Sequence, residues 1–362
     1  MQQVDKAARG VWWWVPSLYF AQGLPYVAVM TMSVVFYKNM GISNTDIALY
    51  TSWLYLPFVI KPLWSPFVDM FRTKRWWVLT MQLLVGSTFA LVALVIPMAG
   101  HFQLTLAFFW LLAFSAATHD IASDGSLFIY HRLVLPVPAA DRAVAGDQSM
   151  GAEFLLVFRR FLAKKDILRV LFFLLLYRFG EFQLVKLAPP FLLDSNARGG
   201  LGLSTAHVGI VYGSIGMVAL TVGGLLGSYL IARDGLKRWL WPMAMAINVP
   251  HLVYVYLALA LPSNLYLIGI AVAFEQLGYG FGFTAYILFM IMTADGEHKT
   301  AHYAICAGFM AMGMMLPGMF SGWIQASIGY GNFFIWVCAA AVPCFIATAL
   351  IKVDPGFGKE VS

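Results

Sequence analysis

Apolar runs recur along nearly the whole chain, separated by short polar turns. They fall at roughly 11–38, 46–68, 76–99, 104–125, 167–193, 206–232, 239–261, 265–293, 301–327 and 332–351. Each is long enough for a helix crossing about 30 Å of hydrocarbon, so ten membrane-spanning helices are expected. A β-barrel would show short alternating segments instead. The first run opens with Trp12-Trp13-Trp14, is longer than a signal-peptide core and lacks a small-residue cleavage pattern; it reads as a retained span.

Composition agrees with the pattern: 61% of the 362 residues are hydrophobic and 11% are charged, where soluble domains carry about 25% charged residues. The net charge of +6 could point to nucleic acid, but its distribution points elsewhere. If Lys6 and Arg9 lie in the cytoplasm, that side also collects Arg72, Lys74, Arg75, the segment Arg132 to Arg169, then Arg233, Lys237, Arg238, Lys299, Lys352 and Lys359. The other side holds Lys38 and Arg198. This asymmetry predicts a multi-pass membrane protein with both termini in the cytoplasm. Cys306, Cys338 and Cys344 fall inside late apolar runs without metal-ligand spacing and read as small core residues.

The stretch "ATHDIASDGSLFIYHRLVLP", Ala117 to Pro136, breaks the pattern twice. It places His119, Asp120 and Asp124 near the end of a span, and after Gly125 the apolar run resumes for too few residues to cross a membrane. After it comes "VPAADRAVAGDQSMGAEFLLVFRRFLAKKD", whose first part has loop chemistry. Its second part has an apolar helical face interleaved with Arg159, Arg160, Lys164 and Lys165, as expected of an interfacial helix on anionic headgroups.

Two internal matches suggest a repeat. Ser43 in "GISNTDIALYTS" aligns with Ser204 in "LGLSTAHVGIVYGS", and Lys74-Arg75-Trp76 aligns with Lys237-Arg238-Trp239, at nearly equal offsets. The first half is nevertheless shorter than the second by about two spans with their loops. The expected organisation is a first helical bundle over 1–137, with four spans and a stub, a cytoplasmic linker over 138–166, and a six-helix bundle over 167–362. Ser126 to Val137 then reads as the end of a sixth span, joined to the fourth after loss of the fifth and most of the sixth. A ten-span plan with a natural re-entrant stub is the other reading.

Two six-helix halves joined by a basic cytoplasmic linker are the plan of the major facilitator superfamily. The stretches "AQGLPYVAVMTMSVVFYKNMGISNTDIALYTSWLYLPFVIKPLWSPFVDMF", "ATHDIASDG" and "FEQLGYGFGFTAYILFMIMTADGEHKTAHYAICAGFMAMGMMLPGMFSGWIQASIGYGNFF" resemble the AmpG-like muropeptide permeases, in the peptide/acetyl-coenzyme A transporter branch. That resemblance implies a bacterial inner-membrane importer of anhydromuramyl sugars and peptides, driven by protons.

Ionisable residues at membrane depth are candidate functional groups because burial there is costly. Glu275 sits about midway along its span, beside Gln276 and ahead of "GYGFGFTAY", and is the leading proton-coupling residue. Asp120 and its neighbour His119, whose imidazole intrinsically titrates near neutral pH, are also proton candidates. Arg178 and Glu181, three apart, share a helix face; Glu181 is a proton candidate and Arg178 a ligand for a carboxylate or pyranose hydroxyls. The alternative for this pair is mutual neutralisation of two buried charges. Gln276, Tyr279 and Tyr286 join the substrate set, the tyrosines as stacking surfaces for sugars. Lys61, before Pro62, either binds an anionic solute or reaches the cytoplasmic interface. Asp69, Arg72, Lys74 and Arg75 form a reduced version of the superfamily's gating loop; Asp124 is assigned to the same gate.

No cofactor and no metal are expected, and no zinc-type His-Glu-x-x-His or nucleophile elbow points to an enzyme. The expected partners are a small-molecule solute, protons and the lipid bilayer, with the protein a monomer and no role for nucleic acid. Two alternatives stand beside muropeptide import. One is transport of another anionic solute, such as a peptide or coenzyme A ester. The other is a truncated, non-transporting membrane sensor or assembly partner.

Overall fold

The computed structural model describes residues 23–98, 100–134, 150–296 and 298–359, and helices account for nearly all of its regular structure, with no strand among them. An apolar backbone without water must close its hydrogen bonds internally, which the helix does.

The helices are, in order, α1 (Ser33–Asn39, continuing a π-turn at Ala28–Met32), α2 (Asn44–Trp53), α3 (Leu56–Ile60), α4 (Ser65–Met70), α5 (Lys74–Val95) and α6 (His101–Val134). Then follow α7 (Met150–Leu162), α8 (Ile167–Leu176), α9 (Phe179–Leu193), α10 (Thr205–Val208, running into a π-helical segment Gly209–Ile215) and α11 (Gly216–Asp234). The chain closes with α12 (Leu236–Asn248), α13 (His251–Ala260), α14 (Leu265–Thr293), α15 (Lys299–Ala339) and α16 (Val342–Leu350).

Among the described residues, six helical runs are long and apolar enough to cross a membrane: 74–95, 101–123, 205–234, 236–260, 265–293 and 301–350. The number is smaller than ten because several expected spans are broken or fused. The second is interrupted at Leu54-Tyr55 and again by a 3-10 turn at Lys61–Leu63, where Pro57, Pro62 and Pro66 remove amide donors. The fifth breaks at Tyr177-Arg178. The two last merge into one run, and the expected turn shrinks to a kink at Gly329, whose φ of 76° favours glycine. The first lies partly outside the described residues.

Helix α6 passes through Gly125 without a break and runs for 34 residues, about 50 Å. The resumed apolar stretch thus continues the fourth span's helix as far as Val134. The rest of that stretch, to Val137, and the linker residues 138–149 lie outside the described residues.

The chain forms two compact units, one of Met1–Ser33 and Leu54–Arg160, the other of Val34–Trp53 and Phe161–Ser362. In the first, α5 and α4 pack on α6 around Val68, Ile121 and Ala122, with Trp64 and Trp77 against them. In the second, α14 packs on α11 and α12, while α15 packs on α9 and α2. Its core includes Leu187, Phe191, Tyr254, Val272 and Phe334. Large apolar side chains also face outward, including Leu83, Leu225 and Ile270, as a lipid-facing surface requires.

The two serines matched by sequence cap helices alike. Ser43 Oγ accepts from the Asp46 amide at 3.1 Å, and Ser204 Oγ from the His207 amide at 3.2 Å. Lys164, at the end of the linker helix, turns toward the protein and donates to the carbonyls of Thr293 and Asp295 at 2.5 and 2.6 Å, satisfying acceptors left open at the end of α14. Arg159 and Arg160 remain exposed.

Candidate functional site

The break in the fifth span creates the main buried charge cluster of the second unit. Arg178 stands between α8 and α9 with φ −112° and ψ 17°, and Glu181 lies in the first turn of α9. The end of one helix attracts the cation, and the start of the next attracts the anion. Arg178 Nε donates to Glu181 Oε2 at 2.8 Å and Arg178 Nη2 to the Tyr279 hydroxyl at 2.7 Å. Its guanidinium carbon also lies 4.4, 4.8 and 4.3 Å from the ring centres of Phe182, Tyr279 and Phe283, within cation–π range. Both charged residues are essentially unexposed. Glu181 Oε1 has no hydrogen-bond partner among the described residues, so the pair keeps one acceptor for a proton or a ligand donor.

On α14, Glu275 is buried and accepts from Gln276 Nε2 at 2.9 Å. It lies one turn before Tyr279, the residue on the same helix whose hydroxyl Arg178 engages. Tyr212 stands on the π-helical segment Gly209–Ile215. Tyr286 lies deeper. Its hydroxyl donates to the Leu174 carbonyl at 2.5 Å, and its ring stacks with Phe173, Tyr177 and Phe283; its place is behind the cluster.

In the first unit, Lys61 on the 3-10 turn pairs with Asp120 of α6, and His119 Nδ1 meets Ser123 Oγ at 3.2 Å. The break in the second span is therefore matched by a buried cation held to an acid. Arg72, with φ 66°, lies over the Trp76 ring at 5.8 Å. Lys74 begins α5 behind its cap Thr73, and Arg75 is exposed. The side chains of Asp69 and Asp124 lie outside the described residues.

Residues 20–140 match the BT1 family. Over 388 aligned positions the chain is 23% identical to the anhydromuropeptide permease of Escherichia coli strain K12, covering 91% of this chain and 77% of that protein. The chain is homologous to the anhydromuropeptide permeases. An uncharacterized protein of Haemophilus influenzae is 22% identical over 406 positions, covering 92% of this chain and 93% of its own length. The nucleoside transporter NupG, in a crystal structure of a point mutant, shares the fold with a TM-score of 0.60 at 14% identity, over 93% of this chain and 99% of that one. The chain therefore shares the fold of that structure, and the homology supports a multi-pass membrane transporter.

A second polar centre escaped the sequence reading. Asp194, at the end of α9, accepts from Lys38 Nζ at 2.7 Å, from the Tyr330 hydroxyl at 2.7 Å and from Asn44 Nδ2 at 3.4 Å. Asn44 also donates to Gln325 Oε1 and the Tyr330 hydroxyl, each at 2.8 Å, and accepts from Lys38 at 2.7 Å. Burial alone would raise the Asp194 carboxyl, but the hydrogen bonds from Lys38, Tyr330 and Asn44 together with the Lys38 charge hold it below its ordinary range. The available signal was an acid beside one of the two cations on the cation-poor side. Asn44 and Tyr330 carried none, because each reads as a loop or packing residue. Phe182 and Phe283 were missed for the same reason.

Proposed function

We propose that this protein imports cell-wall muropeptides across a bacterial inner membrane by proton-coupled alternating access, acting as a monomer with both termini in the cytoplasm. The observation that carries the reading is the buried Arg178–Glu181 pair at the break of the fifth span, with Tyr279 bound to the same guanidinium. Broken helices in transporters present helix ends and side chains to substrate at membrane depth. Arg178 is suited to a carboxylate or sugar hydroxyls, and Tyr279 offers a stacking surface with Tyr286 behind it. Protonation of Glu181 weakens the pair and frees the guanidinium for substrate. Glu275, held by Gln276, is the principal proton carrier. In the first unit, Lys61 binds an anionic group when Asp120 is protonated, with His119 beside it. Asp69, Arg72, Lys74, Arg75 and Asp124 form the cytoplasmic gate.

The muropeptide substrate rests on the homology with the anhydromuropeptide permeases. The test is uptake of radiolabelled anhydromuropeptide into proteoliposomes under an imposed pH gradient. Uptake that collapses with the gradient supports the reading; equal uptake without a gradient removes proton coupling, and no uptake removes import by this chain.

A second reading is favoured by one observation. The alignment with the Escherichia coli permease runs over 388 positions, more than the 362 residues of this chain, so the relative holds residues that this chain lacks. A chain without two spans would act as a membrane sensor or assembly partner. Grafting two helices after Asp124 separates the cases: uptake only by the grafted chain supports this second reading.

A further inference from the structure

The fifth span breaks at Tyr177-Arg178, and a helix end leaves its last carbonyls without partners inside the helix. In α8 the Phe173 carbonyl accepts from the Tyr177 amide at 2.9 Å, as in an ordinary last turn. The next carbonyl, that of Leu174, is taken by the Tyr286 hydroxyl of α14 at 2.5 Å. Helix α15 closes over the same end. A Cβ added at Gly313 would stand 3.2 Å from the Leu175 carbonyl oxygen and 3.5 Å from that of Leu174.

The exchange is reciprocal. The Tyr177 hydroxyl donates to the Gly282 carbonyl of α14 at 3.1 Å. Both tyrosines are fully enclosed, and their rings stack with centres 5.6 Å apart. Two hydroxyl-to-carbonyl bonds thus run in opposite directions between the break and α14. Each fixes a side chain on one side to a backbone atom on the other, so sliding or turning of α14 strains both. Behind this contact α14 is held by α12, because a Cβ at Gly282 would lie 2.6 Å from the Met243 carbonyl oxygen and from Ile247 Cβ.

The same part of α14 also grips the charge. Tyr279, Phe283 and Tyr286 are spaced by four and three residues and share one helix face. Arg178 donates to the Tyr279 hydroxyl at 2.7 Å, and its guanidinium carbon lies 4.3 Å from the Phe283 ring centre. Tyr286 stacks on Phe283, with centres 6.2 Å apart. The face that holds the Leu174 carbonyl therefore also holds Arg178, one turn further along the broken span.

We propose that Tyr177 and Tyr286 form a reciprocal brace across the break of the fifth span, and that this brace positions Arg178 for the solute. Tyr286 then serves transport through Leu174 and Arg178, not as a stacking surface for a sugar. The part concerning the solute rests on the function proposed above; the brace and its hold on Arg178 do not. Both tyrosines are positioning residues. Arg178 is the group that meets the carboxylate or hydroxyls.

The test is Tyr286→Phe, which keeps the stacked ring and leaves a buried carbonyl without its donor. Thermal midpoints in detergent are compared in two backgrounds, the unmodified chain and the Arg178→Gln/Glu181→Gln variant. The expected fall is about 3 °C in the first and under about 1 °C in the second, because a neutral pair has less to lose when the break relaxes. Tyr177→Phe removes the reciprocal bond and should show the same coupling, so either variant suffices if the other does not fold. An equal fall in both backgrounds overturns the positioning role, and no fall overturns the brace. In proteoliposomes Tyr286→Phe should raise KM for radiolabelled anhydromuropeptide about tenfold and leave the maximal rate nearly unchanged. An unchanged KM overturns the link to the solute. If the unmodified chain takes up no anhydromuropeptide, the proposed function and that link fall together, while the midpoint comparison still decides whether the brace positions Arg178.

Discussion

The Lys38 ammonium reaches the Asp194 carboxylate at 2.7 Å, and the same carboxylate oxygen accepts from the Tyr330 hydroxyl. One acid thereby ties the end of α1 to the end of α9 and to α15. Both partners of the ion pair are at least nine-tenths enclosed, so removing the acid leaves a buried cation without its counter-charge. Asp194→Asn is expected to lower stability by about 3 kcal/mol, measured by thermal unfolding in detergent. The pH dependence has a definite sign. A carboxyl whose folded pKa is lowered contributes stability above its unfolded value and loses it as pH falls through the folded one. Stability of the unmodified protein should stay flat from pH 8 to about 5 and decline below about 4, and the Asn variant should lack that acid-side loss.

The Arg178–Glu181 pair predicts strong non-additivity. Arg178→Gln or Glu181→Gln alone strands a buried charge and should cost about 3–5 kcal/mol, while the double variant should recover most of that loss. Thermal unfolding of all four proteins checks this. Uptake should stay abolished in the double variant, because charge balance restores the fold without restoring a ligand for the substrate.

Glu275→Gln should suppress pH-gradient-driven uptake about a hundredfold and leave substrate exchange measurable. An unchanged pH profile in proteoliposomes would remove Glu275 from proton coupling.

The contact of α11 with α14 depends on glycine. A Cβ at Gly280 would lie 2.0 Å from the Leu220 carbonyl oxygen, and one at Gly223 would lie 2.1 Å from that of Leu277. Gly280→Ala should therefore destabilise the protein by about 1–3 kcal/mol, whereas Gly213→Ala, where an added Cβ meets nothing within 4 Å, should be nearly neutral. Melting curves of the two variants decide this.

In the first unit, Lys61→Met removes from Asp120 a cationic partner that lies 59 residues away in sequence. It should reduce stability more than Lys61→Met combined with Asp120→Asn, by about 2 kcal/mol. Equal melting temperatures would show that the pair contributes no net stability.

Much of the candidate site was legible along the chain. Arg178 and Glu181 were a recognisable pair because three residues of helix bring two side chains to one face, and Glu275 stood out as an acid in an apolar run. Lys61 and Asp120 were each singled out, but their pairing was not, since nothing local brings α6 to the 3-10 turn. Asn44, Asp194 and Tyr330 were missed because ordinary loop and packing residues become a polar centre only when distant helix ends meet.

The sequence by itself determined a helical, multi-pass membrane protein with a transporter's motifs, because hydrocarbon length and backbone hydrogen bonding leave an apolar chain few alternatives. Tertiary structure alone decided where spans break, which charges neutralise one another, and that Val34–Trp53 packs with the second unit. Those outcomes depend on contacts between residues far apart in the chain, and hydropathy carries no record of which apolar helix lies against which.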